Sequence, residues 1–229
     1  MSQRKLYIEM VEVCINYSDL LSISLPISKQ HFDKIVVVTC PDDKKTIEIC
    51  KKNDVECVIT DRMYENPKDI LNKGKAINEG IKRLEKKDWL LITDADIAFP
   101  HNTRNVIERD VTDKNILYCA ARRICKNRNE WMKYVENPAR LNTWIAQAGW
   151  RTAGLGFFQL VNFKKDLMQE KTMKELWYSE NFGHCGRSDR AFLHEWGIEN
   201  KIKFDWKELS MIHMGESKVN WLGRKTEKF

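Results

Sequence analysis

The 229-residue chain contains no run approaching the ~20 apolar residues that a membrane-spanning helix requires. Its first residues, Met1-Ser2-Gln3-Arg4-Lys5, lead into mixed polar and apolar sequence instead of the apolar stretch of a secretory leader. Both absences point to a cytosolic protein with no transmembrane segment. Cys-x-x-Cys pairs are missing as well. The seven cysteines, Cys14, Cys40, Cys50, Cys57, Cys119, Cys125 and Cys185, are odd in number, and several sit in apolar, strand-like runs. Reduced, buried thiols account for this pattern better than a disulfide framework does. His184, Cys185, His194 and His213 offer zinc-ligand chemistry, but in a spacing that matches no common ligand pattern. Internal repeats, low-complexity linkers and coiled-coil heptads are also lacking.

What is present is the composition of an ordinary globular protein, 42% hydrophobic and 31% charged, in a length suited to one substantial domain. The net charge of +6 fits an anionic substrate such as a nucleotide diphosphate; it equally fits weak attraction to nucleic acid, or lysines that only solvate helix faces. The first half alternates short β-branched runs with charged helical stretches, the signature of repeated βα units and a mainly parallel sheet. Strands are predicted at 11–17, 34–40, 56–60 and 89–93. Between them, helices are predicted over 19–32, through Asn53 after Pro41-Asp42-Asp43 breaks the strand and supplies a capping carboxylate, and over 72–87. Ile35-Val36-Val37-Val38 is an uninterrupted apolar run suited to a strand covered on both faces. Beyond residue 100 the pattern predicts a helix near 102–109, a strand near 116–121, a strand at 156–161, a helix around 188–196 and a last strand near 210–213. The fold class is therefore α/β, a single Rossmann-like domain over 1–229 with a central, mostly parallel sheet flanked by helices.

Trp89-Leu90-Leu91-Ile92-Thr93 delivers Asp94-Ala95-Asp96 at the carboxyl end of a buried strand, where open α/β sheets bind ligands. Two carboxylates one residue apart can hold a divalent cation against phosphate groups. Alternation would point both to one side, provided the strand continues through residue 96. An isolated Asp-x-Asp also caps turns and helices, but five apolar or small residues directly before it argue against solubilising decoration.

The segments Val36-Val37-Val38-Thr39-Cys40-Pro41-Asp42-Asp43, Asn72-Lys73-Gly74-Lys75-Ala76-Ile77-Asn78-Glu79-Gly80 and Trp89 to Pro100 resemble, in order and spacing, the GT-A fold glycosyltransferases similar to family 2. The resemblance covers residues 11–100 well and the remainder in patches. It implies a nucleotide-sugar-binding half at 1–100 and an acceptor-binding half at 101–229. It also implies transfer from a nucleoside-diphosphate sugar, UDP-linked, with Mn2+ or Mg2+ as cofactor. The acceptor would be a hydroxyl of a glycan, a small molecule or modified DNA. Asn16, Tyr17, Asp42 and Asp43 would surround the base and ribose, each with a second reading as a turn or helix-cap residue. Lys73 and Lys75 would lie beside the nucleotide. Asp94 would serve the ribose or the metal's water shell, Asp96 would ligate the metal directly, and His213 would be a third ligand unless it is structural. Gly186-Arg187-Ser188-Asp189-Arg190-Ala191-Phe192 resembles the segment that carries the general base of inverting relatives. That makes Asp189 the base, or else a carboxylate stabilised by a helix N-terminus; relatives often have Glu-Asp where this chain has Ser188-Asp189. Gly154-Leu155-Gly156 would let a sugar approach the backbone or simply form a turn.

Other classes fit less of the chain. A nucleotidyltransferase usually carries a glycine-rich basic loop after its first strand, and Cys14-Ile15-Asn16-Tyr17-Ser18-Asp19 has none. A phosphatase of the Asp-x-Asp type normally places that motif after the first strand, not the fourth. A nucleic-acid module could use Arg122-Arg123-Ile124-Cys125-Lys126-Asn127-Arg128 and Arg224-Lys225, but no DNA-reading motif accompanies them. A glycosyltransferase acting on hydroxylated bases of DNA would combine the two ideas.

Overall fold

A computed structural model describes residues 5–66, 68, 70–149, 155–163, 178–215 and 229. In chain order the elements are β1 (Ile8–Val13), α1 (Ser18–Ser28), β2 (Lys34–Thr39), α2 (Lys44–Lys52), β3 (Glu56–Ile59), α3 (Lys73–Lys82), β4 (Trp89–Asp94) and β5 (Ile97–Ala98). There follow α4 (Thr103–Asp110), β6 (Leu117–Cys119), β7 (Ala121–Cys125), α5 (Arg128–Glu136), β8 (Ala146–Gln147), β9 (Gln159–Asn162), α6 (Cys185–His194), β10 (Lys201–Lys203) and β11 (Ser210–Met214).

Seven strands form the main sheet in the order β10-β6-β9-β4-β1-β2-β3. The β4-β1-β2-β3 block is parallel, as the βα alternation predicts, and β9 runs antiparallel between β4 and β6. Val36 and Val38 of β2 enter one hydrophobic cluster while Ile35 and Val37 enter the other, so the apolar run is covered on both faces. Helix α3 lies close over the sheet because Gly80 has no side chain: a Cβ there would stand 2.6 Å from a Val11 methyl and 2.8 Å from one of Val38.

Two chain segments leave the main sheet for a second sheet of order β5-β11-β7-β8. Residues 116–121, predicted as one strand, divide at the fully buried Ala120 into β6 in the main sheet and β7 in the second. Likewise β4 ends at Asp94, and the chain turns through Ala95-Asp96 into β5. Ile97 and Met211 of the second sheet share a core cluster with Ile8, Met10 and Leu91 of the first. Helix α5 is the largest element the sequence pattern did not announce; only Trp131 of its nine residues is buried.

Candidate active site

The parallel strand order changes direction between β1, which leads to β2, and β4, which leads to the other side. A crevice forms at such a switch point, outside the carboxyl ends of the strands. Val13 of β1 pairs with Asp94 of β4 there. Along β4, Leu90 and Ile92 face the α3 side of the sheet, so Asp94 faces it too. Asp94 Oδ1 lies 2.5 Å from Lys73 Nζ, and the same ammonium lies 2.9 Å from Asp189 Oδ1. The Lys73 side chain is only 6% exposed. Burial pulls its pKa down, but attraction to Asp189 and Asp94 outweighs that and leaves it raised, so the ammonium keeps its proton.

Local chemistry fixes this triad. Asn72 caps α3 by accepting from the Lys75 N–H at 3.1 Å, and its amide donates to the Glu180 carbonyl at 2.8 Å. Asn78 exchanges two hydrogen bonds with the Tyr178 backbone, 2.8 and 3.0 Å. These bonds hold the chain leading into α6 against α3, which brings Asp189 to Lys73. Gly156 completes the fit, since a Cβ at that position would collide with the Asp189 carboxyl and Lys73 Nζ. Gly154 lies outside the described residues.

Asp96 does not follow Asp94 onto the same strand face, because β4 stops at Asp94 and Asp96 belongs to the turn. The expected alternation therefore fails, and the turn aims Asp96 at the second sheet. Its carbonyl accepts from the Met214 N–H at 2.8 Å, and its Oδ2 lies 3.5 Å from His213 Nε2. Asp96 Oδ1 and His213 Nδ1 are buried without a hydrogen-bond partner among the described residues. Burial raises the Asp96 carboxyl, with His213 pulling it down and Asp94 pushing it up. Asp189 is also raised, chiefly by burial, although Lys73 opposes the shift.

Two residues near this centre are not assigned to it by the sequence. Glu12, 1% exposed at the end of β1, has Oε1 unpartnered. Burial, then Asp94 and Asp96, push its carboxyl up to about 8. Glu9 on the same strand is equally buried, yet it accepts from the Glu85 and Lys87 N–H groups at 2.7 and 3.0 Å. The lone signal for Glu12 was an acid inside an apolar strand. Arg122 was read as part of a basic surface, but it is 8% exposed on β7. It donates to Gln147 Oε1 at 3.0 Å, stacks 4.8 Å over Phe157, and is drawn by the charges of Asp96 and Asp94.

The other predicted residues follow the carboxyl ends of β1 and β2 or lie on α3, with different engagements. Asn16, exposed, adopts φ 60° at the exit of β1, and its N–H donates to Asp43 Oδ2 at 2.7 Å. Asp43 also caps α2 through the Thr46 N–H and hydroxyl, so it braces the Asn16 turn from within. Asp42 beside it is exposed, and Tyr17 is half-buried against two core clusters. Lys75 points away from Lys73 and pairs with Glu65 at 3.0 Å, as two residues apart on a helix dictates. Among the described residues no three His, Cys, Asp or Glu side chains gather into a ready metal cage. Asp94 is turned to Lys73, leaving Asp96 and His213 as a pair of one carboxylate and one imidazole donor.

No protein-family model matches the chain, and no curated protein matches it in sequence. Solved structures do. A mannosyltransferase from Pyrobaculum calidifontis in complex with GDP-Man and Mn2+ superposes with a TM-score of 0.56 at 12% identity, over 94% of this chain and 59% of that one. Glucosyl-3-phosphoglycerate synthase from Mycobacterium tuberculosis, in complex with UDP, gives 0.55 at 13% identity, over 94% of this chain and 73% of that one. The same synthase with Mn2+, UDP and glucosyl-3-phosphoglycerate gives 0.52 at 13% identity, over 97% and 73%. The chain thus spans about three fifths of the first of these enzymes and nearly three quarters of the second. At such identities the likeness speaks for architecture alone. Taken with the seven-stranded sheet, its single reversed strand and the crossing into a second small sheet, it establishes that this chain has the GT-A fold.

Proposed function

We propose that the chain is a metal-dependent glycosyltransferase that moves a sugar from a nucleoside-diphosphate sugar, UDP-linked, to an acceptor hydroxyl with inversion. One observation carries the reading: Asp94, Asp96, Lys73, Asp189 and His213, from four separate elements and the turn after β4, meet at the switch point of the sheet. The solved structures of the same fold support it, since they hold GDP-Man, UDP and Mn2+.

The donor set fits Mn2+ or Mg2+. Asp96 Oδ1 is a buried acceptor without a partner among the described residues, and His213 turns Nε2 toward the same carboxylate at 3.5 Å; such ions are commonly held by one or two carboxylates plus substrate phosphates and water. Asp96 and His213 would hold the ion directly and Asp94 through its water shell or the donor ribose. When bound, the ion supplies neutralisation of the charge that grows on the departing diphosphate.

The chain's own residues supply the rest. Asn16, Tyr17 and Asp42 border the base and ribose in the donor half, 1–100, with Asp43 bracing the Asn16 turn. Lys73 stays protonated and orients Asp189. Asp189 takes the proton of the acceptor hydroxyl, and its burial strengthens it as a base by destabilising the carboxylate. The acceptor enters from the 101–229 half and presents a hydroxyl of a glycan, a small molecule or a hydroxylated base.

The test is thermal stabilisation by UDP with and without Mn2+, followed by a panel of nucleotide sugars. Asp96→Ala should abolish the Mn2+-dependent part of the stabilisation. Asp189→Ala should bind donor as the parent does and lose about 10²–10⁴-fold in transfer, the usual worth of a general base. Parent-like stabilisation of Asp96→Ala by UDP and Mn2+ would sink the metal assignment.

A further inference from the structure

Arg122 and Arg123 leave β7 on opposite faces, as successive strand residues must. Arg122 turns toward Asp96, whereas Arg123 turns to the far side of the second sheet. There, Arg123 lines a cleft of about 220 Å3 with Tyr134 of α5, Trp206 and Lys207 of the turn before β11, and His101 and Asn102 at the start of α4. The Arg123 residue is 4% exposed. Its Nη1 donates to the carbonyls of Trp144 at 2.7 Å and Asn142 at 3.4 Å, and its guanidinium stacks 5.3 Å over Trp206.

This buried cation differs from the chain's other enclosed arginines. Arg104 pairs with Asp33 and Glu108, and Arg122 faces the Asp94 and Asp96 charges. Arg123 pairs with no carboxylate among the described residues; burial draws its pKa down with nothing to oppose it. The carboxylate that lines the cleft, Glu208, is taken by Arg109. Lys207, exposed and 5.9 Å from the Trp206 ring, adds a second positive charge at the mouth. A buried guanidinium with no carboxylate partner favours an anion that reaches it, and its planar fork matches the two oxygens of a carboxylate or phosphate.

We propose that this cleft is a second binding site, separate from the Asp94–Asp96 centre, for an oxyanion: a phosphate or carboxylate group on a small ligand. Arg123 and Lys207 supply the charge, and Trp206 and Tyr134 supply apolar walls for whatever carries it. The volume lies below the ~300–1,000 Å3 of pockets that enclose drug-sized ligands, which limits the occupant to about the size of one sugar acid or sugar phosphate.

The experiment follows the indole N–H resonance of Trp206 in the 15N-labelled full chain, assigned by its loss in Trp206→Phe. Inorganic phosphate, acetate and glucuronate are titrated separately, with sodium chloride at matched ionic strength as control. A saturable shift with phosphate or with the carboxylates, and none with chloride, is expected, and the arm that saturates identifies the group. Arg123→Gln should weaken it at least about tenfold. Should that variant not fold, Lys207→Ala, altered only at an exposed side chain, should weaken it severalfold. A response linear in every anion, or saturation unaffected by Lys207→Ala and Arg123→Gln, overturns the proposal. Asp96→Ala should retain the Trp206 response, so failure of the catalytic reading and failure of this one are separable.

Discussion

Lys73 occupies the space between two carboxylates where its charge is needed and its side chain can hardly reach water. Removing it leaves Asp189 buried without its cation, the situation in which breaking an ion pair costs about 3–5 kcal/mol. Asp94 is a third exposed and screened by solvent, which places Lys73→Met at the lower end of that range. Urea unfolding of metal-free protein measures it, and a loss under about 1 kcal/mol would show that the triad is slack. Glu12 gives a pH signature of known sign. Its carboxyl ionises near 4.5 in the unfolded chain and near 8 when folded. The folded state therefore binds the extra proton between those values. Stability from this group is complete below pH 4.5 and is lost as pH rises through 8, at up to about 1.4 kcal/mol per pH unit. In metal-free protein Glu12→Gln should flatten that decline; an unchanged pH profile would remove Glu12 from the account.

At the scale of elements, two short joints decide the site. The end of β4 at Asp94 sends one aspartate to α3 and α6 and the next to the second sheet, so the Asp-x-Asp spans the two layers. The close approach of the turn before β9 to α6 is the other joint. Gly156→Ala should push Asp189 and Lys73 apart, at about 1–3 kcal/mol for overpacking. It should also reduce sugar transfer while leaving UDP binding near that of the parent. A Gly156→Ala protein as stable and active as the parent would mean that the turn yields freely. Much of this scale was legible. The βα alternation placed β1 through β4 and α1 through α3 within a few residues, and Pro41-Asp42-Asp43 announced a capping carboxylate for α2, which in the fold is Asp43. The break at Ala120 was not, because an apolar run reads alike whether it stays in one sheet or crosses to another. Helix α5 was missed because only Trp131 of its nine residues is buried, while the apolar Met132 and Val135 stand exposed and blur the face it turns to the core.

For the whole molecule, the shared core is the decisive feature. Ile97 and Met211 from the second sheet pack in one cluster with Ile8, Met10 and Leu91 from the first, and the β4–β5 and β6–β7 segments run through both. We therefore expect the chain to unfold as a single domain. Far-UV circular dichroism and tryptophan fluorescence should trace one coincident urea transition. Separate transitions would instead mark the donor and acceptor halves as independent units.

The amino-acid order by itself determined the parallel βα half, the strand that delivers Asp94, and the acidic and basic residues available for chemistry, because these depend on local periodicity and on what each side chain is. Tertiary structure alone decided that Lys73, 21 residues from Asp94 and 116 from Asp189, would join them, while Lys75 would turn to Glu65. It also decided what each face of β7 would meet: Arg122 the charges of Asp94 and Asp96, and Arg123 the cleft beside Trp206. Charge partnership across such separations follows from which surfaces the packed layers bring together, and no local pattern encodes that.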